Sequence, residues 1–567
     1  MKKIIYLISI ALLAISCSED FLDTKNLYQK SDESYYLTSA DIEEALAGAY
    51  AAIPLDAGNN NPFIVAELMS DDCFGGGGSN DDGFHSTDAY TLVQPNYYEE
   101  LFGRNWQGIL RVNMILKRFD QAEYTDEDAQ NQALGEAYFL RAYFYFRLSQ
   151  FFDVVPLKLE SIPSNTPRAS AEEMYGQIAL DLKTAIETMP STPYQSIPVT
   201  RLGHATKWAA EGLMARVFLF YTGYYVQSEI PLPGGGSVTQ SDVIAWIDDC
   251  VDNSGHDLLP DFRNNWTYAA VERYPYTANN NLKYADSIGG LGNFETVFAI
   301  QYSPYGGWNP PQGQELSYSN QHSLYVGLRQ QSYIPFGQGW GGGPVNPQLW
   351  DSFEEGDIRR EGSILNVNIS SPDEGSIPEN FIWGSDNQMH ETGLWQKKYM
   401  PIYDSILDDP GTTANEGRIA GIFFIEYNAP NDMQLWNMQD DVLIRFADIL
   451  LMGVELGGSN AAEYFNRVRT RAGLDPIGSP RLEDIKLERR HELAFEGLRH
   501  FDLMRWHDAE AAHAEVVNIP VMNIGVEAIY NDTYRPETGG FLPIPQTEIT
   551  LSEGVLTQTP GWEEYTQ

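Results

Sequence analysis

Apolar positions along this chain fall into three regimes. Up to about residue 255 they recur at helical intervals. Residues 39–53 (SADIEEALAGAYAAI) open the pattern with a Ser-x-x-x-Glu start. Trp106–Phe119 and Asp126–Phe152 predict two long antiparallel helices. In the second, Leu134, Ala137, Tyr138, Arg141, Tyr145, Leu148 and Phe152 share one stripe, and Ala142, Phe144 and Phe151 mark another face. A helix apolar on several faces is buried between neighbours. Further helices are predicted over 170–189, 203–226 and 241–252. Helix pairs of this length, rich in Ala and Tyr, point to a tetratricopeptide-like stack with degenerate repeats.

From about 256 to 438 helical periodicity fades, and Gly, Pro, Asn and aromatic residues crowd in. Short strands are predicted at 295–302 (ETVFAIQY) and 421–427 (GIFFIEY). The remainder reads as long ordered loops, which in compact proteins often carry function. Helical patterning resumes over 440–456, 459–472 and 481–507. The segment 541–549 (FLPIPQTEI) is extended and stiffened by Pro543 and Pro545. The expected fold is therefore mainly α: a tetratricopeptide-like helical superhelix with a large loop-rich insertion and few short strands. Its expected divisions are 36–255, 256–438 and 439–567, with the first and last packing as one compact unit.

The N-terminus adds an address. Lys2 and Lys3 precede an apolar run, Ile4–Ser16, that ends at Cys17. This describes a secretory signal, residues 1–16, too short to span a bilayer. A cysteine there points to a lipoprotein, cut before Cys17 and anchored to a membrane by acyl chains. Leucine is usual three residues before such a cysteine; here that place is Ala14, with Leu13 one step back. Residues 17–35 read as an acidic spacer.

The chain has 567 residues, 43% of them hydrophobic, and a formal net charge of −43 at pH 7. Such a surface repels phosphate backbones and excludes nucleic acid as a partner. Of three cysteines, Cys73 and Cys250 remain beside Cys17. A disulfide between them and two separate thiols both stay open.

Little in the sequence argues for catalysis or a cofactor. Glu488, Glu492 and Glu496 follow at i, i+4 spacing, with Arg499, Asp502 and Arg505 beyond. Paired carboxylates serve glycosidases, but acids and bases alternating on one helix predict a structural salt network. Glu136 and Arg141 in the apolar helix have the same reading. His491-Glu492 lacks the second histidine of a zinc motif, since position 495 is Phe. Gly337-Gln-Gly339-Trp-Gly-Gly342 lies between Pro335 and Pro344, without the strand and helix of a dinucleotide site. Gly75–Gly78 lacks the Lys-Ser/Thr of a phosphate loop. Asp71, Asp72, Asn80, Asp81 and Asp82 cluster there, but match no standard calcium loop. No metal or cofactor is expected.

Five segments together resemble the SusD/RagB family of outer-membrane lipoproteins. They are GEAYFLRAYFYFRLSQFFDVVPL (135–157), RLGHATKWAAEGLMARVFLF (201–220), RFADILLMGVEL (445–456), YFNRVRTRAGL (464–474) and ERRHELAFEGLRHFDLMRW (488–506). The FLPIPQTEI ending is also similar. The resemblance implies a non-catalytic cell-surface binding protein. It would capture a neutral oligosaccharide or polysaccharide and pass it to a SusC-like TonB-dependent transporter. A peptide-binding relative on the same scaffold is the alternative; a glycoside hydrolase is a distant one.

Sugar rings pack C–H faces on indoles and phenols, while Asn, Asp and Arg reach their hydroxyls. Aromatics on glycine-rich loops fit that need: Tyr305, Trp308 and Asn309 in one loop, and Trp340 in another. Tyr333, Trp350 and Trp383 lie in the same region, with Tyr302 and Tyr325 near them. The resemblance also implies a contribution from the region after the first helix, which brings in Asp71, Asp72, Tyr90 and Asn96.

Overall fold

The computed structural model describes residues 35–53, 60–161, 164–285, 292–302, 320–330, 335–369, 388–406, 418–427, 432, 434–435 and 437–563. Its first half is a run of helices, each packed on the one before: Ser39–Tyr50, Glu99–Arg118, Glu127–Phe152, Ala171–Thr188, Lys207–Tyr224 and Gln240–Asn253. Local chemistry sets their starts. Thr38 and Asp41 close a capping box, as do Ser170 with Glu173 and Thr239 with Asp242. The Glu127–Phe152 helix is buried on all sides along its second half. Its Arg141 is held there by two 2.7 Å bonds to Asp181, which satisfies a charge that could not otherwise be buried.

After the middle region the helical order resumes. Phe446–Leu456 packs on Lys207–Tyr224 and Gln240–Asn253, followed by Ala461–Arg471 and Leu482–Leu493. One apolar cluster joins helices from both ends of the chain. The middle region has its own, built around Phe262, Trp266, Tyr268, Tyr274, Trp395 and Tyr399. The strands among the described residues pair only in twos. The fold is thus the mainly helical superhelix with a loop-rich insertion that the periodicity predicts.

Four expected elements are corrected. The segment 541–549, expected to be extended throughout, turns into the helix Gln546–Leu551 after Pro545. The 440–456 helix begins as a strand: β-branched Val442 and Ile444 pair antiparallel with Thr296–Ile300 before the helix starts at Phe446. The 421–427 strand is a helix, Ile422–Tyr427, entered from the strand Arg418–Gly421. The 481–507 helix is broken into Leu482–Leu493 and Arg499–Trp506. At the break Phe495 and Gly497 take φ of +66° and +70°. Tertiary contacts hold this turn open. Phe495 is fully buried, the Gly497 N–H donates to Glu67 at 2.6 Å, and Glu496 reaches Arg445 and Lys398, each at 2.7 Å.

The acids of the Leu482–Leu493 helix form the predicted salt network. Glu492 accepts from Arg445 at 2.6 Å, from Arg359 at 3.1 Å and from Arg471. Arg445 also reaches Glu295 at 2.9 Å, and Arg359 reaches Glu488 at 2.5 Å. Burial opposes ionisation of Glu492, but the guanidiniums of Arg471, Arg445 and Arg359 outweigh it and hold its carboxyl below the usual range. Burial, with the Arg445 charge acting the same way, pulls Lys398 down to about 8; burial, aided by the nearby Asp72 and Glu496 carboxylates, pushes Glu67 up to about 8. Cys73 and Cys250 are separate buried thiols in different clusters.

Replacing Glu492 by Gln leaves buried guanidiniums undercompensated. Urea unfolding of E492Q is expected to show a loss of about 3–5 kcal/mol. The same measurement on K183A, which breaks the exposed Lys183–Glu187 pair, is expected to show less than about 0.5 kcal/mol. Glu67 gives a pH signature. Its folded value lies above the ordinary 4.5, so the stability it contributes is complete below pH 4.5 and is lost as pH rises towards 8. Melting of E67Q against the native chain should therefore favour the variant increasingly from pH 4.5 to 8.

Candidate functional site

Two glycine-rich runs that carry no phosphate-loop chemistry find each other in the structure. Gly75–Gly78 lies against Gly339–Pro344, with Phe74 N–H donating to Pro344 at 2.9 Å and Gly77 N–H to Gly341 at 2.7 Å. The pairing needs residues without side chains. Gly76 has φ +61°, and a Cβ there would sit 2.6 Å from the Gly341 carbonyl oxygen. A Cβ on Gly342 would run into the ring of Tyr325. On one side Leu328–Arg329 pairs in parallel with Gln338–Gly339. On the other the ribbon continues through Gln388–Glu391 to the hairpin of Ile519–Asn523 and Val526–Tyr530.

Trp340 stands on this ribbon. Its N–H donates to Leu324 at 2.8 Å, and its indole is half-buried against the middle cluster. Arg329 Nη1 donates to the Trp340 carbonyl at 2.9 Å and lies 3.5 Å from Asp81 Oδ2. Asp81 also accepts from the Gly78 N–H at 2.6 Å. Their side chains remain 21% and 38% exposed, so both reach solvent. The ribbon thus carries a partly exposed indole together with a guanidinium and a carboxylate held by the same backbone. That can bind a ring bearing hydroxyls, but it holds no nucleophile with a base.

Other expected site residues lie elsewhere. Asp71 and Asp72 are buried: Asp71 is gripped by Arg499 at 2.7 and 2.9 Å, and Asp72 by Arg490 at 2.5 Å. Burial opposes ionisation of Asp71, but Arg490 and Arg499 hold its carboxyl down; Asp72 is pushed up by burial. Asp71 ties down the start of the Arg499–Trp506 helix and Asp72 the end of the Leu482–Leu493 helix. Tyr90 is 1% exposed, with its hydroxyl donating to Met69 at 2.6 Å. Asn96 accepts from the Thr547 N–H at 2.9 Å and pins the C-terminal segment. Trp350 packs on a small cluster under the Arg360 guanidinium, 5.0 Å from the ring. Tyr325 is buried, and the Tyr302 hydroxyl bonds Asp441 at 2.9 Å. Cys17, Tyr305, Trp308, Asn309, Tyr333 and Trp383 lie outside the described residues. The pairing of Arg329 with Asp81 across the ribbon was missed by sequence reasoning. The run Gly75–Gly78 lies close to Asp81, whereas no glycine run adjoins Arg329 as a comparable signal. Among the described residues, no cluster could hold a metal ion, and no helix is long and apolar enough to cross a membrane.

Two family models match the chain. One, described as starch-binding and associating with the outer membrane, matches residues 20–219; the other, the SusD family, matches 295–562. The chain belongs to the SusD/RagB family. SusD-family proteins bind ligands without catalysing reactions, and this one is not an enzyme. Surface glycan-binding protein A from Bacteroides fluxus is similar over 92% of this chain and 99% of its own, with 26% identity and a TM-score of 0.70. A laminarin binding SusD-like protein shares the fold over 93% and 100%, with 23% identity and a TM-score of 0.68. A SusD-like protein from Bacteroides ovatus is 24% identical over 89% of this chain and 82% of its own.

The glycine pairing makes a direct prediction for this SusD-family ribbon. Gly76→Ala should lower stability by about 1–3 kcal/mol in urea unfolding, because the added methyl has nowhere to go at a positive φ.

Proposed function

We propose that the mature protein is a cell-surface lipoprotein, acylated at Cys17, that binds a neutral oligosaccharide or polysaccharide. It passes the glycan to a SusC-like TonB-dependent transporter in the outer membrane. The observation that carries this reading is the likeness, along nearly the whole chain, to a surface glycan-binding protein. The half-exposed Trp340, with Arg329 and Asp81 beside it, supplies chemistry suited to a sugar ring. The net charge of −43 disfavours polyanionic glycans and supports a neutral one. Trp308, Tyr305, Asn309, Tyr333 and Trp383 are proposed as further contacts from neighbouring loops.

Calorimetry of the mature protein against laminarin, other neutral glucans and mixed peptides tests the proposal. A neutral glycan should bind. Trp340→Ala should weaken that binding roughly tenfold or more while the chain remains folded, with some loss of melting temperature from the indole's packing on the middle cluster. Trp350→Ala, whose ring serves packing, should leave affinity within about twofold. Binding of peptides with no neutral glycan bound would overturn the reading.

A further inference from the structure

A second cleft lies between the segment 194–206 and the strand Thr296–Ile300. It opens to solvent and shares no residue with the Trp340 platform. Its walls include Tyr194, Arg201, His204, His256, Phe298 and Gln301. Tyr194 and Phe298 are nearly buried and give it an apolar floor.

The polar groups of this cleft are unevenly satisfied. His256 donates from Nδ1 to the Phe294 carbonyl at 2.9 Å, which leaves Nε2 as the free nitrogen of a neutral ring. Burial pulls His256 down to about 4, so the ring is neutral at physiological pH. Its Nε2 is buried with no hydrogen-bond partner among the described residues, and the residue is 5% exposed. A buried acceptor without a donor is costly and calls for an O–H or N–H from outside.

The cations at the rim do not make this an anion site. Arg201 is matched to Glu43 at 2.7 Å and to Glu136, and His204 bonds Glu136 at 2.8 Å. Glu136 takes two further donors, Tyr50 at 2.9 Å and Gln132 at 2.8 Å. Asp440 at the margin adds negative charge. The field over the cleft is therefore balanced or acidic. Gln301, exposed at the mouth, offers both a donor and an acceptor.

We propose that this cleft is a second ligand site, for a small neutral hydroxylated molecule of mono- or disaccharide size. One hydroxyl donates to His256 Nε2, and others meet Gln301 and the outer edges of His204 and Arg201. The site stands independently of the Trp340 platform.

Saturation-transfer NMR on the full mature chain with millimolar D-glucose, laminaribiose and glycerol tests it. The W340A variant weakens the platform, so the substitutions in the cleft decide where the remaining signal arises. At least one probe should still give a transfer signal with W340A. Gln301→Ala, an exposed and fold-neutral change, should reduce that signal several-fold in the W340A background, and His256→Phe should abolish it. The site is overturned if W340A gives no signal with any probe, or if its signal survives both H256F and Q301A. Failure of glycan binding at the platform would leave this readout intact, so the two proposals fail separately.

Discussion

The carboxylate of Glu492 is shared by Arg359, Arg445 and Arg471, which arrive from three places in the chain. Arg359 begins from a short helix of the middle region, Arg445 ends a strand paired with Thr296–Ile300, and Arg471 closes a C-terminal helix. Such ions are expensive to bury, so the network is stable only when every member is in place. That condition turns it into a registration device. The loop-rich middle region can dock on the helical stack in one arrangement, the one that brings Arg359 and Glu295 to the acids and bases of the C-terminal helices.

The proposed ligand platform inherits that registration. The break after Leu493 frees Glu496 to complete the network and lets Gly497 bond Glu67 on the Pro62–Leu68 helix. The chain from that helix runs directly into Gly75–Gly78, the strip that meets Gly339–Pro344 and presents Trp340. Because side chains are absent where the two strips meet, the backbones approach closely and the surface above is set by hydrogen bonds. A binding protein gains from this: a platform already in its binding shape spends little free energy on ordering when a ligand arrives.

The helical scaffold was legible in the sequence because burial repeats at 3.6 residues and caps such as Ser170 and Thr239 mark its starts. The salt network was legible in kind, from acids and bases at helical spacing, though not in its partners. What escaped was decided at long range. Val442 and Ile444 fit a helical stripe, yet a strand 140 or so positions earlier captured them as a ladder. The residues after Leu493 keep the helical pattern, but Glu496 is worth more to Arg445 than to a continuous helix. Asp71 and Asp72 looked like ligand groups on a glycine loop; their arginine partners lie more than 400 positions away and cannot be paired by local reading. Arg329 was passed over for the same reason, since its meaning depends on Asp81 across the ribbon.

The central claim is that the glycine ribbon is held as firmly as the scaffold on which it docks. Hydrogen exchange followed by mass spectrometry, on peptides spanning 74–78 and 339–345, tests this directly. The account predicts slow exchange there, comparable with the buried Glu127–Phe152 helix. Exchange of those peptides within seconds, while the helix stays protected, would contradict it.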